Sequence, residues 1–103
     1  MSIEEDLKEW KELVYELSCK EIALFDCKAV YNEKSEKILA ETDFKSLYGA
    51  NNQKVRDNHI RNELSDEYAK IKDLEFSIDF IARRIAYLKR VVDYKIKLME
   101  AKQ

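Results

Sequence analysis

No proline interrupts this chain of 103 residues, and its only glycine, Gly49, lies close to the midpoint. Proline breaks a helix interior because it lacks the N–H donor and clashes with the preceding turn, whereas glycine commonly follows the last residue of a helix. Charged residues make up 39% of the chain, as is common in coiled coils and long helices. The sequence therefore predicts an all-α fold, an antiparallel helical hairpin that forms a single domain over residues 1–103.

The first helix is expected over residues 3–41. Ser2 and Glu5 have the spacing of a capping box, which places the start near Ile3. Apolar residues then recur at steps of three, four and seven, as on one face of a helix. Lys28 and Ser35 interrupt this stripe, so the sequence leaves open whether the helix is continuous through Ser35. The predicted stripe consists of Ile3, Leu7, Trp10, Val14, Leu17, Leu24, Tyr31 and Ile38.

The reversal is expected over residues 42–51. A short helical turn after Glu41 would take Thr42 or Asp43 as its N-cap, and Gly49 would close it. Asn51 or Asn52 would then cap the second helix, which is expected over residues 52–101.

The second helix has the stronger apolar pattern. Its residues alternate strictly at steps of four and three, which predicts a core or oligomer interface, and a neighbouring stripe widens the apolar face beyond what one partner helix covers. We therefore expect a homo-oligomer, most economically a dimeric four-helix bundle. The predicted interface residues are Leu74, Ile78, Ile81, Ile85, Leu88 and Val92.

Charge is divided unevenly between the two halves. Residues 1–50 carry seven lysines and twelve acidic residues, a net charge of −5, whereas residues 51–103 carry twelve basic and nine acidic residues, a net charge of +3. Opposite charges of this kind favour an antiparallel register in which position n faces roughly position 100 − n. They argue against a nucleic-acid mimic, which needs one dominant acidic field.

Signs of catalysis are missing from the sequence. A single histidine, His59, excludes a two-histidine metal motif, and one glycine does not make a phosphate-binding loop. Cys19 and Cys27 would lie about 12 Å apart on one helix, beyond the roughly 7 Å that a disulfide spans. We expect no enzyme activity, no cofactor, no metal and no small-molecule substrate. We also expect no membrane span, and the acidic N-terminus favours a cytoplasmic location.

Two surfaces are candidates for recognition. The reversal gathers polar side chains that suit a protein partner, although the same residues would also cap helices; they are Tyr48, Asn51, Arg56 and His59. The alternative is a DNA- or RNA-binding accessory that contacts phosphates through the basic face of the second helix, although these cations would also pair with the acidic first helix. The cations of that face are Arg83, Arg84, Lys89 and Arg90.

The segment from Asp43 to Lys89 carries a Y-G-x-N-x-x-x-x-R turn, formed by Tyr48, Gly49, Asn51 and Arg56, ahead of a long amphipathic helix. This half of the chain resembles small helical proteins encoded in early regions of tailed phages and prophages of Gram-positive bacteria. The resemblance implies a viral accessory protein in the host cytoplasm, made near recombination or replication genes, with no catalytic residues. The expected function is therefore non-enzymatic protein–protein interaction with a host or phage protein, such as inhibition or modulation of a defence or nucleic-acid-handling enzyme.

Overall fold

The computed structural model describes residues 2–102, and this part of the chain contains helices and no strands. The helices are α1 (Ile3–Glu41), α2 (Phe44–Tyr48), α3 (Gln53–Glu63) and α4 (Ser65–Ala101). Helices α1 and α4 run antiparallel to each other, which confirms the predicted all-α helical hairpin. None of these helices is long and apolar enough to cross a membrane.

The first helix has the bounds that the capping box and the periodicity indicate. Ser2 Oγ accepts a hydrogen bond from the Glu5 backbone N–H at 3.2 Å, so Ser2 satisfies one of the free donors of the first turn. Helix α1 continues through Ser35, whose hydroxyl donates to the carbonyl oxygen of Tyr31 at 2.7 Å. The polar residues in the apolar stripe therefore do not interrupt the helix.

The second helix differs from the expectation of one helix over 52–101, because it is divided at Leu64. Leu64 has φ −108° and ψ 37°, outside helical values, and it caps α3 by donating its backbone N–H to the Ile60 carbonyl oxygen at 2.8 Å. Its own carbonyl oxygen accepts from the Tyr68 N–H in the first turn of α4. The Leu64 side chain is buried and both of its backbone groups are bonded, so the break leaves no backbone polar group of Leu64 without a partner.

The chain divides into two compact units. The described part of the first unit consists of residues 2–22 of α1 with residues 74–102 of α4. Ile81, Leu88 and Val92 are buried in it, and Leu74, Ile78 and Ile85 from the same predicted interface are half-buried. The single chain thus already uses these residues to pack its own hairpin.

Helix α1 of this unit is rotated relative to the predicted stripe. Leu7 and Val14 belong to the predicted apolar stripe, but they are 47% and 44% exposed, whereas Ile3, Trp10 and Leu17 of the same stripe are half-buried. The face turned towards α4 instead includes Asp6, which is 1% exposed, and half-buried Leu13. Asp6 can occupy this inward face, instead of its neighbour Leu7, because its carboxylate forms an ion pair with Lys95 of α4.

The second unit, Ala23–Asp73, contains the rest of α1, the start of α4 and both short helices. Its buried core consists of Phe44 from α2, Ile60 from α3, Leu64 and Ile71. Helices α1 and α4 also meet here, since the rings of Tyr31 and Tyr68 lie 6.3 Å apart and Lys34 donates to Glu67 at 2.9 Å. Burial raises the pKa of the Tyr31 phenol, and Lys34 lowers the pKa of the Glu67 carboxyl.

Candidate protein-recognition site

The helix reversal begins with a fully capped short helix. Asp43 is the N-cap of α2: its carboxylate accepts from the Ser46 backbone N–H at 3.1 Å and from the Ser46 hydroxyl at 2.7 Å. These hydrogen bonds stabilise the ionised form and lower the pKa of Asp43. Gly49 ends the helix at φ 72°, in the left-handed region, and donates to the Lys45 carbonyl oxygen at 2.8 Å.

The start of α3 is fixed by two asparagines with separate tasks. Asn52 is the N-cap, and its side-chain oxygen accepts from the Val55 backbone N–H at 3.0 Å. Asn51 instead holds Arg56, which donates through one nitrogen to the Asn51 carbonyl oxygen at 2.9 Å and to its side-chain oxygen at 3.0 Å. The guanidinium therefore ties the connection to the first turn of α3.

A third set of contacts joins α2 directly to α3. Tyr48 Oη lies 2.5 Å from His59 Nδ1, and the two rings meet edge to face with centroids 5.6 Å apart. His59 also packs edge to face on Phe44 at 5.3 Å, and Phe44 is only 3% exposed. A buried ring on one side and a hydrogen bond on the other fix the position of the imidazole.

The four predicted recognition residues are thus brought together as two pairs, Tyr48 with His59 and Asn51 with Arg56. Each pair uses polar atoms to hold the turn, so these residues shape the surface as well as forming part of it. The Tyr48 ring remains 50% exposed.

The prominent exposed apolar group of the reversal is Leu47, which the sequence reasoning did not single out. Leu47 is 62% exposed and lines an open depression of about 390 Å³ together with Ile38, Glu41, His59 and Glu63. Leu47 follows Phe44 by three residues, a spacing that usually places two side chains on the same face of a helix. Only the orientation of the short helix reveals that Phe44 points inward and Leu47 outward. We call Leu47, Tyr48 and this depression the turn surface.

The predicted basic face of α4 is already partly engaged by carboxylates. Arg84 donates through Nε to Glu9 at 3.0 Å, and this hydrogen bond raises the pKa of the guanidinium. Arg83 pairs with Asp79 one turn earlier on α4 at 3.0 Å. Lys89 and Arg90 are exposed.

Within residues 2–102, no three histidine, cysteine or acidic side chains are grouped so that they could hold a metal ion. Cys19 is exposed and Cys27 half-buried, and both are free thiols. Comparison with known proteins found no matching family profile, no similar curated protein and no similar solved structure.

Proposed function

We propose that this protein is a non-enzymatic binding protein and that its turn surface recognises another protein. The observation that carries the proposal is the exposure of Leu47 and Tyr48 on a turn whose geometry is fixed by side-chain hydrogen bonds and a buried ring. A surface of this kind binds with a reduced loss of conformational entropy, because the Tyr48 ring and the turn backbone are held in place before the partner arrives.

The length of the reversal supports the same proposal. Two antiparallel helices can be joined by roughly 2–5 residues, whereas here a capped five-residue helix and a second capped turn lie between α1 and α3. Exposed Leu47 is unfavourable in water, and full burial of a leucine side chain recovers about 1.5–3 kcal/mol. Because Leu47 is 62% exposed, a partner that covers it would gain part of that free energy, and covering the exposed half of the Tyr48 ring would add to it.

The resemblance to phage early-region proteins suggests the kind of partner. We propose a host or phage protein, with a defence enzyme or a nucleic-acid-handling enzyme as the leading class, and a steric mode of action in which the turn surface blocks or modulates the partner. This mechanism requires no cofactor and no catalytic residue.

Direct nucleic-acid binding through α4 is supported less well. Arg83 and Arg84 form ion pairs with Asp79 and Glu9, and the overall isoelectric point is about 5.5. Phosphate binding depends on cations that can displace the counterions of the nucleic acid. Of the four predicted cations, Lys89 and Arg90 are then the two that could do so.

The proposal is tested by affinity capture from a Gram-positive host lysate, with and without nuclease, using the full chain and two variants. Leu47→Glu places a charge on the turn surface and should lose the captured protein. Phe25→Glu is the matched control, because Phe25 is 74% exposed on α1 of the same unit and should retain it. Capture of the same protein by Leu47→Glu would contradict the proposal. Recovery of nuclease-sensitive material alone would favour the basic face of α4.

A further inference from the structure

A second row of mostly apolar side chains runs along α4 beside the row that packs on α1. Its members follow each other at steps of four and three residues, the spacing of a coiled-coil seam. Phe80 is 72% exposed, Tyr87 50%, Tyr94 63% and Leu98 42%, so the described chain leaves this row largely uncovered. We call it the aromatic row; it consists of Phe80, Arg84, Tyr87, Val91, Tyr94 and Leu98.

An acidic row runs along α1 on the same side of the hairpin. Glu5, Glu9, Glu12 and Glu16 also follow steps of four and three. The contact that places both rows on one face is made by Arg84, which donates to Glu9 and lies 5.2 Å from the centre of the Tyr87 ring. One face of this unit therefore presents glutamates on α1 beside aromatic rings on α4.

The net charges of the two helix segments in this unit indicate what can cover the face. Residues 3–22 of α1 carry seven acidic residues and three lysines, whereas residues 74–102 of α4 carry four acidic and seven basic residues. Two α1 helices placed against each other would repel, as would two α4 helices, but α4 of one copy and α1 of another attract.

From this complementarity we infer that the face binds a second copy of the chain, with α4 of each copy antiparallel to α1 of the other. The aromatic rows then lie against the acidic rows of the partner in a closed, two-fold symmetric dimer. This inference is independent of the turn surface, which lies in the other unit.

The register of the dimer follows from the register within one chain, where position n faces roughly position 100 − n, as in the pair of Asp6 with Lys95. The same relation between copies places Arg90 between Glu5 and Glu12 of the second copy. It places Arg83 beside Glu16. The hydroxyl groups of Tyr87 and Tyr94 can donate to the same row of glutamates, which suits rings that need an apolar contact and a polar partner.

The exposed apolar side chains supply roughly half of the area that a standard interface buries, and the flanking charged rows supply the remainder. Because an aromatic side chain buries about 150–250 Å², the exposed parts of Phe80, Tyr87, Tyr94 and Leu98 offer on the order of 450 Å² per copy. The flanking charged rows extend this towards the roughly 800 Å² per partner of a standard interface.

Sedimentation equilibrium of the full chain and of Arg90→Glu tests whether a second copy covers this face and whether its α1 lies against α4. We expect a dimer for the natural sequence and at least about a tenfold increase in Kd for Arg90→Glu, equivalent to about 1.4 kcal/mol. Lys89→Glu is the matched control, since it makes the same charge change at an exposed position on the other flank of α4 and should leave Kd unchanged. A monomer at roughly millimolar concentration would overturn the inference. Tighter association of Arg90→Glu would also overturn it, because that outcome requires α4 to face α4.

A mixing experiment makes the test sharper. Glu12→Lys should also weaken the dimer, but an equimolar mixture of Glu12→Lys and Arg90→Glu should restore natural affinity. In the mixed dimer, the lysine introduced in one copy faces the glutamate introduced in the other at one contact, and the natural pair remains at the second contact. Failure of the mixture to associate, with both variants folded by circular dichroism, would overturn the pairing. Leu47→Glu should dimerise like the natural chain. The capture experiment therefore tests the turn surface, and sedimentation tests the dimer, independently of each other.

Discussion

The carboxylate of Asp6, near the start of α1, accepts a hydrogen bond from the Lys95 ammonium near the end of α4 at 2.5 Å. Asp6 is 1% exposed, whereas the Lys95 side chain is 28% exposed, so the cation reaches the pair from the edge of the core. A buried carboxylate is tolerated only where a partner compensates its lost hydration. This pair therefore fixes which face of α1 turns inward and sets the register of the two helices.

We expect Asp6→Ala to lower the free energy of unfolding by about 1–3 kcal/mol, because it removes a buried hydrogen bond to a charged group. Replacing both partners, in Asp6→Leu with Lys95→Met, should recover most of this loss, as apolar pairs often substitute for buried ion pairs. Urea denaturation measures both values. Glu4→Ala, an exposed change in the same helical turn, is the control and should have little effect. Natural stability in Asp6→Ala would show that the pair does not specify the packing.

Gly49 provides a test of backbone conformation alone. Its φ of 72° is left-handed, but a Cβ atom at this position would meet nothing within 4 Å. Gly49→Ala should therefore cost about 1–2 kcal/mol from the conformation itself, and Gly49→Asn should cost less because asparagine tolerates this region better. Thermal and urea unfolding would measure the series. Equal stability of all three proteins would contradict this prediction, because it would mean that the turn can leave the left-handed conformation without lowering the free energy of unfolding.

Gly49 also shows which parts of the fold are predictable from the sequence. Its left-handed turn and the Asn52 cap depend on interactions within a few residues, so local sequence chemistry is enough to locate them. The break at Leu64 carries no glycine or proline, and its side chain is buried in the core of the second unit, so local turn signals do not reveal it. Asp6 is similar, since its inward position depends on Lys95.

The candidate site also combines features that the local sequence predicts with features that depend on how the helices pack. The sequence identifies Tyr48 and His59 as polar residues in an unusual turn, yet their direct hydrogen bond depends on how α2 packs against α3. The sequence does not predict the exposure of Leu47, because apolar spacing cannot distinguish its exposed position from the buried one of Phe44.

The Asp43 cap predicts a pH dependence. Hydrogen bonds from Ser46 lower the pKa of Asp43 in the folded protein below its ordinary value of 3.8. The ionised cap therefore contributes stability above that value, and the contribution is lost as the pH falls through the lower folded pKa. Asp43→Asn keeps a capping oxygen but does not titrate, so its stability should fall less steeply in acid. Thermal unfolding between neutral pH and about pH 2 would compare the two proteins. Parallel curves would show that ionisation of Asp43 does not contribute.

Ile81 and Phe80 are neighbours in sequence but lie on opposite sides of the packing, since Ile81 is 4% exposed and Phe80 is 72% exposed. Ile81→Asp would bury an unpaired carboxylate and should destabilise the protein by about 3–5 kcal/mol, enough to unfold a marginal domain. Phe80→Asp should change the unfolding free energy of dilute, monomeric protein by no more than about 0.5 kcal/mol, while it weakens the proposed dimer. Circular dichroism with urea at low concentration and sedimentation at high concentration separate the two effects. If Ile81→Asp unfolded at the same urea concentration as the natural chain, α4 would have to pack through a different face.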